Sequence, residues 1–227
     1  MHNAFYGNDL YISSRTLRIQ TMKDQFITCL DLEGVLVPEV WIKVAEKTGI
    51  DQLRLTTRDI PDYNELMGIR LSIIKDHHLS LKDIQQVTSS LTPFEGALEF
   101  LAWLKERSQV IILSDTFIEF AKPLMQQLAM PTIFCHSLSL NSTGQIENYH
   151  LRLNDPNAQA VKSFKNLNFK TIAAGDSFND VTMLQEAHQG IFFCPPDSIA
   201  SQFPQYPVVK TYSQFQDELL KHLPPPY

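Results

Sequence analysis

Long apolar segments are missing from this 227-residue chain, and it has only three cysteines. No apolar run reaches the roughly 18 residues that a membrane-spanning helix needs, and residues 1–25 contain no apolar stretch long enough for a secretory signal. The cysteines are odd in number, and each falls in an apolar run: Cys29, Cys135 and Cys194. We therefore expect a cytoplasmic protein with no membrane contact, whose cysteines are buried, reduced thiols.

Basic residues are in the minority. The chain has 19 Lys and Arg residues against 25 Asp and Glu residues, which gives a formal net charge of −6. This balance argues against a nucleic-acid-binding protein, although a small anion can still bind where cations are concentrated locally. The chain also lacks a Gly-x-Gly-x-x-Gly motif and a lysine-containing phosphate loop, so nothing in it predicts dinucleotide or ATP binding.

Short apolar runs alternate with helical patterns along most of the chain. The runs predicted as strands are 26–30, 109–113, 132–135, 171–174, 190–194 and 208–210. The segments with helical spacing of apolar residues are 95–107, 117–128, 158–167 and 180–187. This alternation predicts an α/β fold, in which a doubly wound parallel sheet is covered by helices on both faces.

One long segment interrupts the alternation. Residues 39–91 contain no convincing strand but include three helical candidates: 40–47, 63–75 and 81–90. We therefore expect a helical cap over 39–91, inserted into a core made of 25–38 and 92–222. A polar extension over 1–24 and a short tail over 223–227 complete the predicted organisation.

Polar side chains follow three of the predicted strands. Asp31 and Glu33 follow the first strand, Ser114 and Asp115 follow the second, and the segment 175–180 (Gly-Asp-Ser-Phe-Asn-Asp) follows the fourth. Carboxylates at such positions suit nucleophilic and acid–base chemistry or Mg²⁺ binding, and a hydroxyl suits phosphate oxygens. Each motif taken alone also fits an ordinary turn or helix cap.

Found together and in this order, these motifs resemble those of the haloacid dehalogenase superfamily of aspartate-nucleophile phosphotransferases. The inserted helices are similar to the cap of its phosphoserine phosphatase branch. Segments 29–39, 57–63 and 173–180 resemble bacterial bifunctional phosphoserine phosphatases/homoserine phosphotransferases, and the resemblance runs from about residue 25 to 220. It implies a Rossmann-like three-layer core and Mg²⁺ as cofactor. It also implies hydrolysis of O-phospho-L-serine, transfer of its phosphate to homoserine, or both, in amino-acid biosynthesis.

The resemblance also implies the catalytic and metal-binding residues. Asp31 would attack the phosphate, and Glu33 would protonate the leaving seryl oxygen and then activate the incoming hydroxyl. Mg²⁺ would be held by the side chains of Asp31 and Asp176 and by the backbone carbonyl of Glu33. Asp180 would support the metal shell. A divalent cation at this place offsets the repulsion between a carboxylate and an incoming phosphate.

Substrate-binding residues follow from the same resemblance. Ser114 and the backbone of Asp115 would bind the phosphoryl oxygens, and Asn179 would contact the phosphate or its immediate shell. Arg70 would grip the substrate carboxylate with two parallel hydrogen bonds, and Glu39 would meet the substrate ammonium. From the residues alone, Arg70 also fits a solvated helix arginine and Glu39 an N-terminal helix acid.

One position departs from the family pattern. The family has a lysine as the third residue of an Asp-Pro-Lys sequence, whereas this chain has Asn157 there. An amide can donate a hydrogen bond to phosphate but cannot neutralise its charge. Lys162 on the same predicted helix is an alternative source of that charge, although it lies roughly 7.5 Å farther along the helix axis.

Several other residues are not assigned to the site. Trp41, Tyr63 and Met67 are predicted to pack in the core of the inserted helices rather than to form a cofactor site. His136 has no neighbour at a spacing typical of zinc ligands.

Two alternative functions remain open. A phosphatase of another small phosphomonoester would keep the same chemistry with a different cap. An attenuated member that only binds a phosphorylated ligand would explain the missing lysine. The oligomeric state is also open, and a homodimer is one possibility.

Overall fold

The computed structural model describes residues 24–57, 59–60 and 62–226. The predicted extension over 1–24 lies outside these residues except for Asp24, and the last residue of the predicted tail, Tyr227, lies outside them as well. Within the described ranges, no helix has the length and apolar character needed to cross a bilayer.

A single sheet of seven strands organises the described part of the chain, in the order β4-β3-β2-β1-β5-β6-β7. The strands are β1 (Phe26–Leu30), β2 (Gln109–Phe117), β3 (Thr132–Leu140), β4 (Ile146–His150), β5 (Lys170–Gly175), β6 (Gln189–Phe193) and β7 (Val208–Val209). All neighbouring strands except β3 and β4 pair in parallel, which confirms the predicted α/β core. The central strand β1 lies between β2 and β5.

The outermost strand, β4, was not predicted. The strand predicted over 132–135 continues to Leu140 and pairs antiparallel with β4, so the sheet is mostly rather than wholly parallel. Only Ile146 of β4 is buried. A mostly exposed edge strand lacks the continuous apolar run by which interior strands are predicted.

Helices connect these strands. The helices are α1 (Val40–Thr48), α2 (Tyr63–Asp76), α3 (Leu81–Ser90), α4 (Ala97–Lys105), α5 (Ile118–Gln127), α6 (Pro156–Asn166), α7 (Val181–Glu186), α8 (Asp197–Gln202) and α9 (Tyr212–Leu219). Short 3₁₀ turns cover Asp51–Arg54 and Phe178–Asp180. The helix predicted over 180–187 therefore begins as a 3₁₀ turn. The short helices α8 and α9 were not predicted, although Tyr212, Phe215 and Leu219 of α9 are spaced at helical intervals.

Two apolar clusters flank the sheet. Leu30 of β1 packs in one cluster with Phe100 of α4, whereas the adjacent Cys29 packs in the other with Val161 of α6 and Leu184 of α7. Successive side chains of a strand point to opposite faces, so the sheet is covered by helices on both sides. This is the predicted three-layer arrangement.

The helices α1, α2 and α3 come between β1 and α4 in the chain. Trp41, Met67 and Ile84, one from each helix, join the larger apolar cluster. Ser80 caps α3 in a reciprocal box: Asp83 N–H donates to the Ser80 hydroxyl, and Ser80 N–H donates to the Asp83 carboxylate at 2.8 Å. Such a box satisfies backbone donors at a helix start that would otherwise have no partner.

The cysteines are free but differ in burial. Cys29 is buried and Cys135 is half-buried, whereas Cys194 is exposed, which corrects the prediction that all three are buried. Cys194 comes directly after β6, has a φ of +49°, and donates its backbone N–H to the carbonyl of Val209 in β7 at 2.8 Å.

Candidate active site

The carboxyl ends of three adjacent strands meet at one edge of the sheet. Asp31 follows β1, Asp115 lies near the end of β2, and Asp176 follows β5. The backbone N–H of Asp31 donates to the carbonyl of Ala174 at 2.9 Å, which continues the pairing between β1 and β5 to the edge. Ligands of doubly wound sheets bind at this edge.

A cavity of about 220 Å³ opens between this edge and the helices of the inserted segment. Nine of the predicted site residues line it, and these are Asp31, Glu33, Glu39, Arg70, Ser114, Asp115, Asp176, Asn179 and Asp180. The structure does not bring Asn157 or Lys162 to the lining.

Three buried carboxylates form the acidic centre of the cavity. Asp31, Asp176 and Asp180 each offer a carboxylate oxygen, and these oxygens lie within 4.8 Å of one another. Burial raises the pKa of Asp31 well above its ordinary value, and the negative charges of Asp180 and Asp176 raise this pKa further. A buried, all-oxygen set of this kind fits a hard divalent cation such as Mg²⁺, which removes the repulsion among the carboxylates.

Glycines at two positions leave room for the carboxylates of Asp176 and Asp180 next to the backbone. A Cβ atom on Gly34 would lie 2.3 Å from Cγ of Asp176, and a Cβ atom on Gly175 would lie 2.1 Å from Cγ of Asp180. Gly34 also has a φ of +78°, a region that favours glycine. Only glycine therefore fits at either position without displacing a carboxylate.

Asp180 is held in place by three donors. Its Oδ2 accepts hydrogen bonds from Asp176 N–H at 3.0 Å and from both the backbone N–H and the hydroxyl of Ser177 at 2.9 Å. Burial raises the pKa of Asp180 to about 6 even though the bonds from Ser177 favour the charged form. Asp180 is thus positioned by the loop before α7.

Glu33 lies beside the start of α1. Its Oε2 accepts a hydrogen bond from the backbone N–H of Val40 at 2.7 Å. Burial and the negative charge of Glu39 raise the pKa of Glu33 to about 8, while the bonds from Val40 and the Thr116 side chain oppose this change. A carboxyl with such a pKa keeps its proton at neutral pH and can donate it.

The segment 114–116 lies in an irregular part of β2. The pairing of β2 with β3 shifts register between Leu113 and Phe117, and the strand does not end at Leu113 as predicted. Ser114 is buried, and its hydroxyl accepts a hydrogen bond from Thr116 N–H at 3.4 Å. Bulges of this type redirect side chains next to active sites.

Arg70 is buried in the wall of the cavity. Its Nη2 donates to the carbonyl of Leu55 at 2.9 Å, and its guanidinium lies 4.6 Å from the ring centroid of Trp41. Burial lowers the pKa of Arg70 to about 10, so the side chain stays charged at neutral pH. Its Nε–H has no hydrogen-bond partner among the described residues. A buried cation with a free donor can receive an anionic group.

Comparison with known proteins decides the family of this chain. The family model of the haloacid dehalogenase-like hydrolases matches residues 29–188. The chain belongs to this family. The predicted resemblance to the haloacid dehalogenase superfamily is thereby confirmed.

Individual relatives agree with this assignment. The chain is 57% identical over 195 residues to "Phosphoserine phosphatase ThrH" of Pseudomonas aeruginosa, which covers 86% of this chain and 95% of the relative. It is also 57% identical to a phosphoserine phosphatase of Pseudomonas syringae pv. tomato, over 86% of this chain and 82% of the relative. The crystal structure of an apo phosphoserine phosphatase matches the fold with a TM-score of 0.71 at 22% identity, over 89% of this chain and all of the other.

This haloacid dehalogenase-like hydrolase has two aromatic side chains in its cavity that were predicted to lie only in the core. Trp41 packs in the core as predicted and also lines the cavity, and so does Tyr63. The hydroxyl of Tyr63 donates to the backbone carbonyl of Asp115 at 2.9 Å and so links α2 to β2. One sequence feature could have pointed to Tyr63 as a cavity residue. Tyr63 belongs to the segment 57–63, one of the segments that resemble the family.

Asn157 stands in the first turn of α6, behind the cavity lining. Its side chain is buried with 4% exposure, and its Nδ2 donates to Oδ1 of Asp115 at 3.3 Å. Its Oδ1 is buried without a hydrogen-bond partner among the described residues. Asn157 therefore reaches the site through Asp115.

Lys162 lies outside the cavity lining. It is exposed, and its ammonium helps to lower the pKa of Glu186 on α7, away from the cavity. Five residues along an α-helix correspond to a rotation of roughly 140° past one full turn, so Lys162 and Asn157 lie on different faces of α6. The alternative role considered for Lys162 is therefore not supported.

His136 lies beside Asp115 but is not part of the cavity lining. It is buried, and its Nε2 lies 3.7 Å from Oδ1 of Asp115. Its Nδ1 accepts a hydrogen bond from Arg152 N–H at 3.2 Å. His136 was considered in the sequence only as a zinc ligand, and no pattern in the sequence pointed to its contact with Asp115.

Proposed function

We propose that this protein hydrolyses O-phospho-L-serine through an aspartyl-phosphate intermediate on Asp31, with Mg²⁺ as cofactor, and that homoserine can replace water as the acceptor. The observation that carries the proposal is the single cavity shared by the acidic centre, Glu33 and the buried Arg70. The names of the two Pseudomonas relatives support phosphoserine as the substrate.

Asp31 acts as the nucleophile, and Glu33 acts first as the acid and then as the base. The carboxylate of Asp31 attacks phosphorus, and the bond between phosphorus and the seryl oxygen breaks. Glu33 gives its proton to that oxygen, so serine leaves as an alcohol. Glu33 then takes a proton from water or from the homoserine hydroxyl as this oxygen attacks phosphorus. The bond to Asp31 breaks and its carboxylate is restored.

The proposed cofactor is assigned to the acidic centre. Asp31 and Asp176 would hold Mg²⁺ with their side chains, together with the backbone carbonyl of Glu33, and Asp180 would support them. When bound, the ion supplies the positive charge that lets a phosphate approach the Asp31 carboxylate.

The remaining lining residues recognise the substrate. Ser114 and the Asp115 backbone bind phosphoryl oxygens, and Asn179 contacts the phosphate. Arg70 receives the carboxylate of the amino acid, and Glu39 receives its ammonium group. An arginine held over Trp41 is already ordered, so little side-chain freedom is lost when it binds a carboxylate.

Two finer points belong to this proposal. The helical segment 39–91 acts as a cap that excludes bulk water, so a bound alcohol can compete with water for the phosphoryl group. Serine biosynthesis in the cytoplasm is the process that such an activity would serve. The proposed chemistry is the same for a monomer and for a homodimer.

The test is phosphate release from O-phospho-L-serine in Mg²⁺, with and without homoserine. We expect release of phosphate and, with homoserine, formation of O-phosphohomoserine, detected by phosphorus NMR. O-phosphoethanolamine lacks the carboxylate, and 3-phosphoglycerate lacks the ammonium. We expect each to have a kcat/KM lower by about tenfold or more, because each leaves Arg70 or Glu39 without its partner.

Two variants complete this test. Asp31→Asn should release no phosphate, whereas Asp51→Asn, at a side chain that is 88% exposed, should behave as the unchanged protein. Absence of turnover with both acceptors would contradict the proposal. Faster turnover of another phosphomonoester would instead select the alternative substrate.

Asn157 favours a second candidate function, in which the protein binds phosphoserine without turning it over. In that case calorimetry would detect binding of phosphoserine while phosphate release stays absent. Asn157→Lys would then start turnover with little change in the dissociation constant. Turnover by the unchanged protein would exclude this candidate.

A further inference from the structure

The helix α2 carries two cavity residues on one face. Tyr63 is its first residue and Arg70 lies seven residues later, a spacing that brings side chains to the same side of an α-helix. Both side chains line the cavity that holds the acidic centre. Arg70 is proposed to bind the substrate carboxylate, whereas the proposed reaction leaves Tyr63 without a role.

The hydroxyl of Tyr63 reaches the part of β2 that lies outside the regular strand pairing. The pairing of β2 with β1 ends at Ile112, and its pairing with β3 passes from Leu113 directly to Phe117. Tyr63 donates to the carbonyl of Asp115, between these points, at 2.9 Å. The hydrogen bond from α2 therefore gives a fixed partner to a peptide group that the sheet does not align.

The peptide group between Asp115 and Thr116 is bound at both of its polar atoms. Its carbonyl accepts the hydrogen bond from Tyr63, and its N–H, which belongs to Thr116, donates to Oγ of Ser114 at 3.4 Å. The two atoms belong to one planar unit, so a change in the direction of the carbonyl also turns the N–H. Because Oγ of Ser114 accepts this bond, its own hydroxyl proton stays available for another acceptor, such as a phosphoryl oxygen.

Aromatic neighbours hold the ring of Tyr63. The ring makes edge contacts with His136 of β3 and with Tyr149 of β4, at centroid distances of 6.1 and 6.3 Å. The hydroxyl of Tyr149 donates to Oδ1 of Asn64 at 2.7 Å. Two tyrosine hydroxyls thus join the start of α2 to the sheet: that of Tyr63 bonds to the segment 114–116, and that of Tyr149 bonds to α2.

We propose that Tyr63 is a positioning residue for the phosphate: it holds the peptide group between Asp115 and Thr116 so that the Ser114 hydroxyl and the Asp115 N–H face the phosphoryl group. This inference rests on the proposed role of the segment 114–116 in binding phosphoryl oxygens. It adds that α2 serves both ends of the substrate, with Arg70 at the carboxylate and Tyr63 at the phosphate.

Tyr63→Phe removes the hydroxyl and keeps the ring. We expect kcat/KM to fall about tenfold for phosphoserine, the size expected for one lost hydrogen bond, and by the same factor for O-phosphoethanolamine. The two factors should agree because both substrates carry the phosphate. A residue that acted on the amino-acid group would instead affect phosphoserine more.

Tyr149→Phe is the matched control. It also removes one tyrosine hydroxyl that joins α2 to the sheet, but this hydroxyl bonds to Asn64 and not to the segment 114–116. Both variants should lose stability to a similar extent in urea unfolding, whereas Tyr149→Phe should keep the kcat/KM of the unchanged protein with both substrates. If Tyr63 only attached α2 to the sheet, both variants would be slowed alike.

Inorganic phosphate tests the site without turnover. Calorimetry in Mg²⁺ should give a dissociation constant for phosphate that is about tenfold higher in Tyr63→Phe and unchanged in Tyr149→Phe.

In an active protein, three results would overturn the inference: an unchanged kcat/KM in Tyr63→Phe, equal losses in the two variants, or a loss confined to phosphoserine. Absence of phosphate release by the unchanged protein would reject the proposed function instead. Phosphate binding would then decide the role of Tyr63 by itself. Equal dissociation constants in the three proteins, or no binding by the unchanged protein, would overturn that role.

Discussion

The contact between Gly34 and Asp176 offers a direct test of the acidic centre. In Gly34→Ala, the new Cβ would lie 2.3 Å from Cγ of Asp176 and 2.5 Å from both of its carboxylate oxygens. To reach an ordinary contact of 3.4 Å, the carboxyl group has to retreat by about 1 Å. Asp176 would then no longer share one ion with Asp31 in the arrangement described above.

The size of the effect follows from two separate costs. A non-glycine residue at the φ of +78° costs about 1–2 kcal/mol of folding free energy. A displacement of about 1 Å in a catalytic group commonly lowers the rate by about 100-fold. We therefore expect Gly34→Ala to fold, to lose about 100-fold in kcat, and to need much more Mg²⁺ for half-maximal activity.

Gly49→Ala is the matched control. Gly49 has nearly the same φ, +74°, but a Cβ atom there meets none of the described residues within 4 Å. This variant should lose about 1–2 kcal/mol of stability and keep the Mg²⁺ dependence and kcat of the unchanged protein. Urea unfolding and Mg²⁺ titration of phosphate release measure both quantities. A Gly34→Ala variant with an unchanged Mg²⁺ response would refute the assignment of Asp176 to the metal site.

Three further predictions concern substrate recognition and stability. Arg70→Lys should raise the KM for phosphoserine about tenfold, because an ammonium cannot make two parallel bonds to a carboxylate. Steady-state hydrolysis of O-phosphoethanolamine, which has no carboxylate, should stay the same. Equal effects on both substrates would contradict the role of Arg70 in binding the substrate carboxylate. Gly68 is exposed inside α2, and no described residue lies within 4 Å of a Cβ atom placed on it. Gly68→Ala should therefore stabilise the protein by about 0.5–1 kcal/mol in urea unfolding, and a loss of stability would count against the helix geometry. Tyr212→Phe removes the hydroxyl that donates to the Val35 carbonyl at 2.7 Å and should cost about 1–2 kcal/mol by the same measurement, whereas an unchanged unfolding midpoint would show that the bond contributes nothing.

Much of the fold could be predicted from apolar periodicity and local motifs. The parallel strands β1, β2, β5 and β6 could be predicted because strands buried on both faces are nearly continuous apolar runs. Their polar ends could be predicted to meet because parallel strands present their carboxyl ends at one edge. Asp31, Ser114 and Asp176 therefore reach the same cavity, as the order of the motifs implied.

Long-range contacts could not be predicted in the same way. The strand β4 depends on pairing with the extended end of β3, and Tyr63 reaches the cavity because α2 packs over β2. The unpartnered oxygen of Asn157 and the outward direction of Lys162 follow from the packing of α6 against its neighbours.

The sequence alone thus determined which chemical groups end each strand, since periodicity and turn residues act over a few neighbouring positions. Only the tertiary structure decided which groups touch across the chain, such as Gly34 with Asp176 and Asn157 with Asp115. The physical reason is that these contacts depend on how helices pack on the sheet, and many arrangements share the same local pattern.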